Sequence, residues 1–241
     1  MLFLVGQLGT AILFTPLAIL AYPLPPVTRS RFIGTWARLV IWWLRVTCGL
    51  THSVQGREHL PERPSVILSA HQSAWETIAF QLIFPAQAWV LKRELLWIPF
   101  FGWGLAATRP IAINRRRGMR ALDAVINAGR QRLQEGRWVV VFPQGTRLLP
   151  GERRRFNVGG ATLAVRAGVP VVPVAHNAGT FWPRRGWVKR PGVIDVVIGR
   201  PIRTDGRRPQ QVNAEAETWV AETMAELERT AASGQRSSER D

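Results

Sequence analysis

The spacing of hydrophobic and polar residues divides this 241-residue chain into stretches of different character. The first 28 residues carry no charged side chain. Their run, "MLFLVGQLGTAILFTPLAILAYPLPP", is long enough to reach across much of a hydrocarbon core, which needs roughly 20 apolar residues. It fits a spanning helix or one buried in a single leaflet, and Pro16 predicts a kink. A cleaved signal peptide opens on a basic segment, and none precedes this run, so the run is expected to persist. The next stretch, "RFIGTWARLVIWWLRVTCGL", places Arg31, Arg38 and Arg45 at heptad spacing on one helical face, with apolar side chains over the rest. Such a helix lies in a membrane interface with its guanidiniums reaching headgroup phosphates. A helix packed on the core with its arginines in water fits the same pattern.

From about Thr51 the pattern changes to short apolar runs alternating with amphipathic segments. "SVILSAH", "AWVLKREL", "RPIAINR", "WVVVFPQ", "VPVVPVAH" and "VIDVVIGRPI" predict strands, several of them continuously apolar as in a sheet covered on both faces. "WETIAFQLIF", "MRALDAVINAGRQRLQEG" and "GGATLAVRAG" predict helices, the last two closed by glycine. Alternating strands and helices predict an α/β domain over 51–230, a largely parallel mixed sheet flanked by helices, behind a two-helix membrane-associating segment at 1–50. An acid-rich helix, "QQVNAEAETWVAETMAELERT", precedes a polar end at 231–241 that is expected to be disordered. Ligands of such sheets bind beyond the carboxyl ends of the strands, where His71, Arg115 and the "PQGTR" turn should fall.

Composition sharpens this picture. A formal charge of +16 asks for an anionic partner, and only Lys92 and Lys189 are lysines, so the charge is almost all arginine. A GC-rich genome accounts for part of that bias. Arginine together with 11 tryptophans suits an anionic membrane surface, whereas no nucleic-acid-binding module is recognisable. The single cysteine, Cys48, excludes an intrachain disulfide and a cysteine metal cluster. The Gly-x-Ser-x-Gly elbow, the Walker loop and His-Glu-x-x-His are all missing. The glycines of "GWGLAA" do not make a dinucleotide fingerprint, because Trp103 fills the turn and no strand precedes it. His52, His59 and His176 stand alone and read as structural.

Candidate chemistry concentrates in three places. In "SAHQSAWETIAF", Ser73 and Glu76 have the spacing of a capping box. If both His71 and Glu76 were helical they would point about 140° apart, which rules out a metal pair on one helix face. If His71 lies just before the helix, the chain folds back and Glu76 can meet the imidazole. A carboxylate on one ring nitrogen fixes the tautomer and raises the basicity of the other, as a general base acting on an alcohol requires. In "VVVFPQGTRLLPG" a buried strand runs into a turn offering Gly145, Thr146 and Arg147, a set suited to an oxyanion or phosphate, though a plain surface turn has the same form. In "IPFFGWGLAATRPIAINRRRG" a strand delivers Arg115 to the same crevice.

Taken in order, "HQSAWE", "GLAATRPIAINR", "FPQGTR" and "VPVVPVA" resemble the four blocks of the glycerophospholipid acyltransferases, over roughly His52 to Pro201, and most resemble its bacterial members that acylate 1-acyl-sn-glycerol-3-phosphate. The resemblance implies acyl transfer from acyl-CoA or acyl carrier protein to the free hydroxyl of a lysophospholipid, giving phosphatidic acid, with no cofactor and no metal. It implies that His71 is the base and Glu76 orients it. It implies that Lys92, Arg115, Gln144, Gly145, Thr146 and Arg147 line the acceptor's phosphate site, that Pro173 shapes the acyl side, and that amides near Gly145 or the first block stabilise the oxyanion. It places the protein at a bacterial inner membrane, with the active site on the cytoplasmic face. Two departures stand out. Glu76 replaces the usual aspartate, and Gln144 replaces the usual glutamate, which leaves other acceptors such as a lyso-ornithine lipid open. A basic lipid-binding protein without chemistry is the alternative of another class.

Overall fold

The computed structural model describes residues 1–114, 119–184 and 186–238. Within them the strands are β1 (Leu50–Gln55), β2 (Val66–Ser69), β3 (Gln87–Lys92), β4 (Ile111–Ile113), β5 (Trp138–Val141), β6 (Val171–His176) and β7 (Gly192–Ile198). They form one sheet in the order β1-β7-β6-β2-β5-β3-β4. The five strands from β6 to β4 are parallel, while β7 runs antiparallel to β6 and carries β1 parallel to itself at the edge. The sheet is thus mixed and largely parallel, as the pattern predicts. The sequence reading lacks β1, whose "LTHSVQ" has neither a continuous apolar run nor a clean alternation.

The central strands read as unbroken apolar runs because both of their faces are buried. Ile67, Trp138, Val140, Val172 and Val174 point into one core, which is closed by α2 (Pro26–Cys48) and α3 (Trp75–Ile83). Their alternates Val66, Leu68, Val139, Val141 and Val171 point into the other, closed by α5 (Met119–Gln134), α6 (Gly159–Ala167) and α8 (Pro209–Ser238). α8 continues to Ser238, into the segment expected to be disordered.

Outside α2 lies α1 (Leu2–Leu20), which runs through Pro16 as one helix and buries only Phe3, Thr15 and Ala18. With a mean hydropathy of 1.9, it is long and apolar enough to cross a membrane by length and composition. α2 packs on the core with its three heptad-spaced arginines outward. Ile33, Ala37, Val40 and Leu44 are buried on the core side, while Arg31, Arg38 and Arg45 are exposed on the other. Pro26 opens this helix and Gly49, at φ 60°, closes it in the left-handed conformation that a residue without a Cβ adopts cheaply.

Part of the arginine content is structural. Helices α1 and α4 (Phe101–Ala107) end near one another, leaving carbonyls with partial negative charge. Arg29 donates to the Tyr22 carbonyl, Arg137 to that of Thr108 (2.8 Å) and Arg132 to that of Arg109 (3.1 Å), while Glu135 pairs with both Arg132 and Arg137. These cations answer helix ends and one carboxylate within the fold.

Leu163 on α6 is fully buried and sits where Gly129 of α5 lets the two helices approach closely. Leu163→Ala is expected to cost about 2–5 kcal/mol, seen as a lower midpoint in denaturant unfolding of the detergent-solubilised protein. An unchanged midpoint would mean that this helix pair does not hold the second core.

Candidate active site

β6, β2 and β5 are neighbours running in one direction, so the segments leaving their carboxyl ends meet at one edge of the sheet. β2 delivers Ala70 and His71, β5 delivers Phe142 to Arg147, and β6 ends on His176.

The helix is capped at Ala74 and not at Ser73, so only the Glu76 half of the expected capping box forms, and it forms together with the contact to the imidazole. α3 begins at Trp75, after His71, and the chain between them folds back. One oxygen of Glu76, Oε1, accepts three N–H groups: His71 Nδ1 at 2.8 Å, the Gln72 amide at 2.9 Å and the Ser73 amide at 2.8 Å. The Ser73 hydroxyl in turn accepts the Trp75 amide at 3.1 Å. Glu76 therefore fixes the backbone before the helix and the imidazole with the same atom. The carboxylate is fully buried, while the imidazole is 15% exposed. Burial opposes ionisation of Glu76, but the charge that nearby His176 takes on at low pH, the His71 hydrogen bond and the Ser73 amide outweigh it and hold the carboxyl below its ordinary value. An ionised carboxylate accepts only, so Nδ1 of His71 carries the hydrogen and Nε2 presents a lone pair. The ring is stacked on Phe142, with centroids 4.0 Å apart and planes 12° apart, which fixes the direction of that lone pair.

The β5 turn is bonded to the same backbone. Gln144 Oε1 accepts the His71 amide at 2.9 Å, and the Leu148 amide donates to the His71 carbonyl at 2.8 Å. Gln144 thus contacts the histidine's main chain. Gly145 takes φ 75°, and its amide donates to the Phe142 carbonyl at 3.0 Å, closing the turn. Among the amides near Gly145 and in the first block, those of His71, Gln72, Ser73 and Gly145 serve internal acceptors in this conformation. The Thr146 hydroxyl and the Arg147 guanidinium make no internal hydrogen bond among the described residues, and the Arg147 carbonyl accepts from Arg184 at 2.9 Å. Lys92 is exposed at the carboxyl end of β3 beside Ile113 of β4. Arg115 lies outside the described residues. Pro173 sits within the sheet beside Leu68, on the face covered by α8, where Gly199 makes room for its ring and for Trp219. That position puts it among packing contacts under α8 and not beside the imidazole.

Three further residues hold this edge, of which only His176 stands out in the sequence, as a structural residue. His176 is fully buried. Its Nδ1 accepts the Ala178 amide at 3.3 Å, so its Nε2 carries hydrogen and donates to the Ala70 carbonyl at 3.1 Å, one residue before His71. Gln72 accepts the Gly179 amide at 3.1 Å and donates at 3.1 Å to Glu228 of α8, which also accepts the Gly151 amide. No short-range pattern signals these partners. The other two histidines are structural, as expected: His59 bonds the Ile198 carbonyl at 2.8 Å and His52 packs edge-on to Trp75.

With this geometry in view, known proteins can be compared. Residues 52–177 match the Acyltransferase family model. The chain is 49% identical over 208 residues to a 1-acyl-sn-glycerol-3-phosphate acyltransferase of Pseudomonas aeruginosa, covering 85% of this chain and 81% of that protein. It is 31% identical over 206 residues to the human 1-acyl-sn-glycerol-3-phosphate acyltransferase alpha, covering 83% and 72%. The crystal structure of the 1-acyl-sn-glycerophosphate acyltransferase of Thermotoga maritima superposes with a TM-score of 0.77 at 23% identity, over 93% of this chain and 92% of that one. This chain belongs to the acyltransferase family.

Burial lowers the pKa of His176 from the ordinary 6.5, and the opposing pull of Glu76 does not restore it. The unfolded chain takes up a proton near that value, whereas the folded chain does not until lower pH. The stability linked to His176 is therefore complete above 6.5 and is lost as pH falls through the lowered folded value. The thermal midpoint is expected to fall between about pH 7 and about pH 5 more steeply in the wild type than in His176→Gln. Parallel curves would show that His176 is not held neutral.

Proposed function

We propose that this chain transfers an acyl group from acyl-CoA or acyl carrier protein to the free hydroxyl of 1-acyl-sn-glycerol-3-phosphate, giving phosphatidic acid. The observation that carries the reading is the His71 to Glu76 bond, which sets one imidazole nitrogen as donor and leaves the other basic at a strand edge. The acceptor is the one named for the Pseudomonas and human relatives. Nε2 of His71 takes the proton of the acceptor hydroxyl as its oxygen attacks the thioester carbonyl. The tetrahedral intermediate then expels the donor's sulfur, which leaves as a thiol by taking the proton back from Nε2. Glu76 remains ionised throughout, holding the ring and stabilising the imidazolium formed midway.

Arg147 and Thr146 grip the acceptor's phosphate, with Lys92 and Arg115 adding charge. Gln144 serves this site indirectly, by holding the main chain of His71. Its neutral amide makes that contact without placing a negative charge beside the phosphate. The apolar helices α1 and α2 associate with the membrane in which a lysolipid resides, and a water-soluble donor places the active site on the cytoplasmic face of a bacterial inner membrane.

Purified protein supplied with lysophosphatidic acid and acyl-CoA should form phosphatidic acid. His71→Ala is expected to lower kcat/KM by about 10²–10⁴-fold with an unchanged thermal midpoint, and Glu76→Gln to lower kcat with little change in the KM for the acceptor. A His71→Ala protein that acylates at the wild-type rate would refute the mechanism, and a preference for another lysolipid headgroup would refute the acceptor.

A further inference from the structure

The crossover from β3 to β4 carries large apolar side chains that the fold does not cover. Residues 93–97 form a 3-10 turn and α4 follows at Phe101. Leu95, Trp97, Ile98, Phe100, Phe101 and Trp103 are all exposed, from 36% at Leu95 to 68% at Trp97. Six such residues within nine positions are a contiguous patch, and patches of that kind mark a contact with lipid or protein. The backbone at their centre is strained. Phe100 takes φ 60° and ψ −63°, a γ-turn closed by the Phe101 amide on the Pro99 carbonyl at 2.7 Å, in the hand that residues with a Cβ avoid. Surrounding contacts hold it there: Thr15 of α1 donates to the Phe100 carbonyl at 3.1 Å, and the Gly104 amide donates to the same oxygen at 2.9 Å.

Thr15 is one of three buried residues of α1, so the patch is docked against a helix that otherwise leaves most of its length exposed or half-buried. Leu13 and Leu20 of that helix are each 75% exposed. The two surfaces are joined at one hydrogen bond, and the patch is flanked by exposed Lys92, Arg93 and Glu94 on one side and by exposed Arg109 on the other. Tryptophan and phenylalanine bounded by a net excess of cations is the composition of a segment seated among headgroups and upper acyl chains of anionic lipid.

We propose that residues 95–103 form a second lipid-inserting element, which enters the same bilayer face as α1. The proposal rests on the membrane-presented acceptor described above and adds what it contacts. The element directly follows Lys92 and leads through β4 towards Arg115, so its insertion sets the acceptor side of the catalytic edge against the headgroups, where a lysolipid arrives laterally. A water-facing crossover would require the acceptor to leave the bilayer before it reached those cations.

Site-directed spin labels test this in the full chain. On a Cys48→Ser background, nitroxides are placed at Trp97→Cys, Phe101→Cys and, as an aqueous control, exposed Asp205→Cys, and the proteins are reconstituted into phosphatidylethanolamine and phosphatidylglycerol vesicles. Labels at 97 and 101 are expected to collide preferentially with oxygen, which concentrates among acyl chains, and the label at 205 with a water-soluble nickel chelate. Nickel accessibility at 97 and 101 equal to that at 205 would overturn the proposal. So would dipolar broadening that vanishes on dilution with unlabelled protein, because the patch would then be covered by a second copy of the chain. The readout does not depend on catalysis: inactive protein with lipid-embedded labels upholds the surface and sinks the acyltransfer reading, and active protein with water-exposed labels does the reverse.

Discussion

A single carboxylate oxygen organises the catalytic edge. Oε1 of Glu76 accepts the imidazole and two consecutive amides at 2.8–2.9 Å inside a fully buried pocket. Burial opposes ionisation of this group, and nearby His176 together with the donors on that oxygen favours it, so that the acceptor-only oxygen specifies the tautomer of His71. The rest of the site is arranged around that backbone. Gln144 and Leu148 pin the peptide groups of His71 from the β5 side, and His176 pins the Ala70 carbonyl from the β6 side. The main chain of His71 is thus held by both neighbouring strands, and its side chain by the helix that follows.

Where the family resemblance implies aspartate, Glu76 carries one methylene more. A longer side chain on the first turn of α3 reaches back to the Gln72 and Ser73 amides and still meets the ring. A glutamine can stand at position 144, since the contact made there is with an amide N–H, for which a neutral carbonyl oxygen suffices.

Much of this was legible in the sequence, for identifiable reasons. The strands of the sheet centre showed as continuous apolar runs because two cores claim alternate residues of each, as Val66 and Leu68 against Ile67 show. The pairing of His71 with Glu76 was visible as an alternative to a capping box because both readings use the same glutamate, from His71 in one and from Ser73 in the other; that one oxygen would serve both was not. β1 was hidden because an edge strand need not be apolar. The exposed γ-turn and α4 were hidden because aromatic residues facing outward carry no core periodicity. His176 read as structural without its partner being visible, and Glu228 lay beyond sequence reasoning, since Gln72 meets it across 156 positions. Part of the net charge, which suggested an anionic partner, proved to be arginines such as Arg29 and Arg137 serving helix-end carbonyls.

The central claim is that Glu76 fixes the protonation state of His71, and four histidines make it measurable by nitrogen NMR of selectively ¹⁵N-histidine-labelled protein at neutral pH. Subtraction of the His71→Gln spectrum assigns the ring. The account predicts a protonated Nδ1 and a bare, proton-accepting Nε2, while a hydrogen on Nε2 with an unprotonated Nδ1 would contradict it.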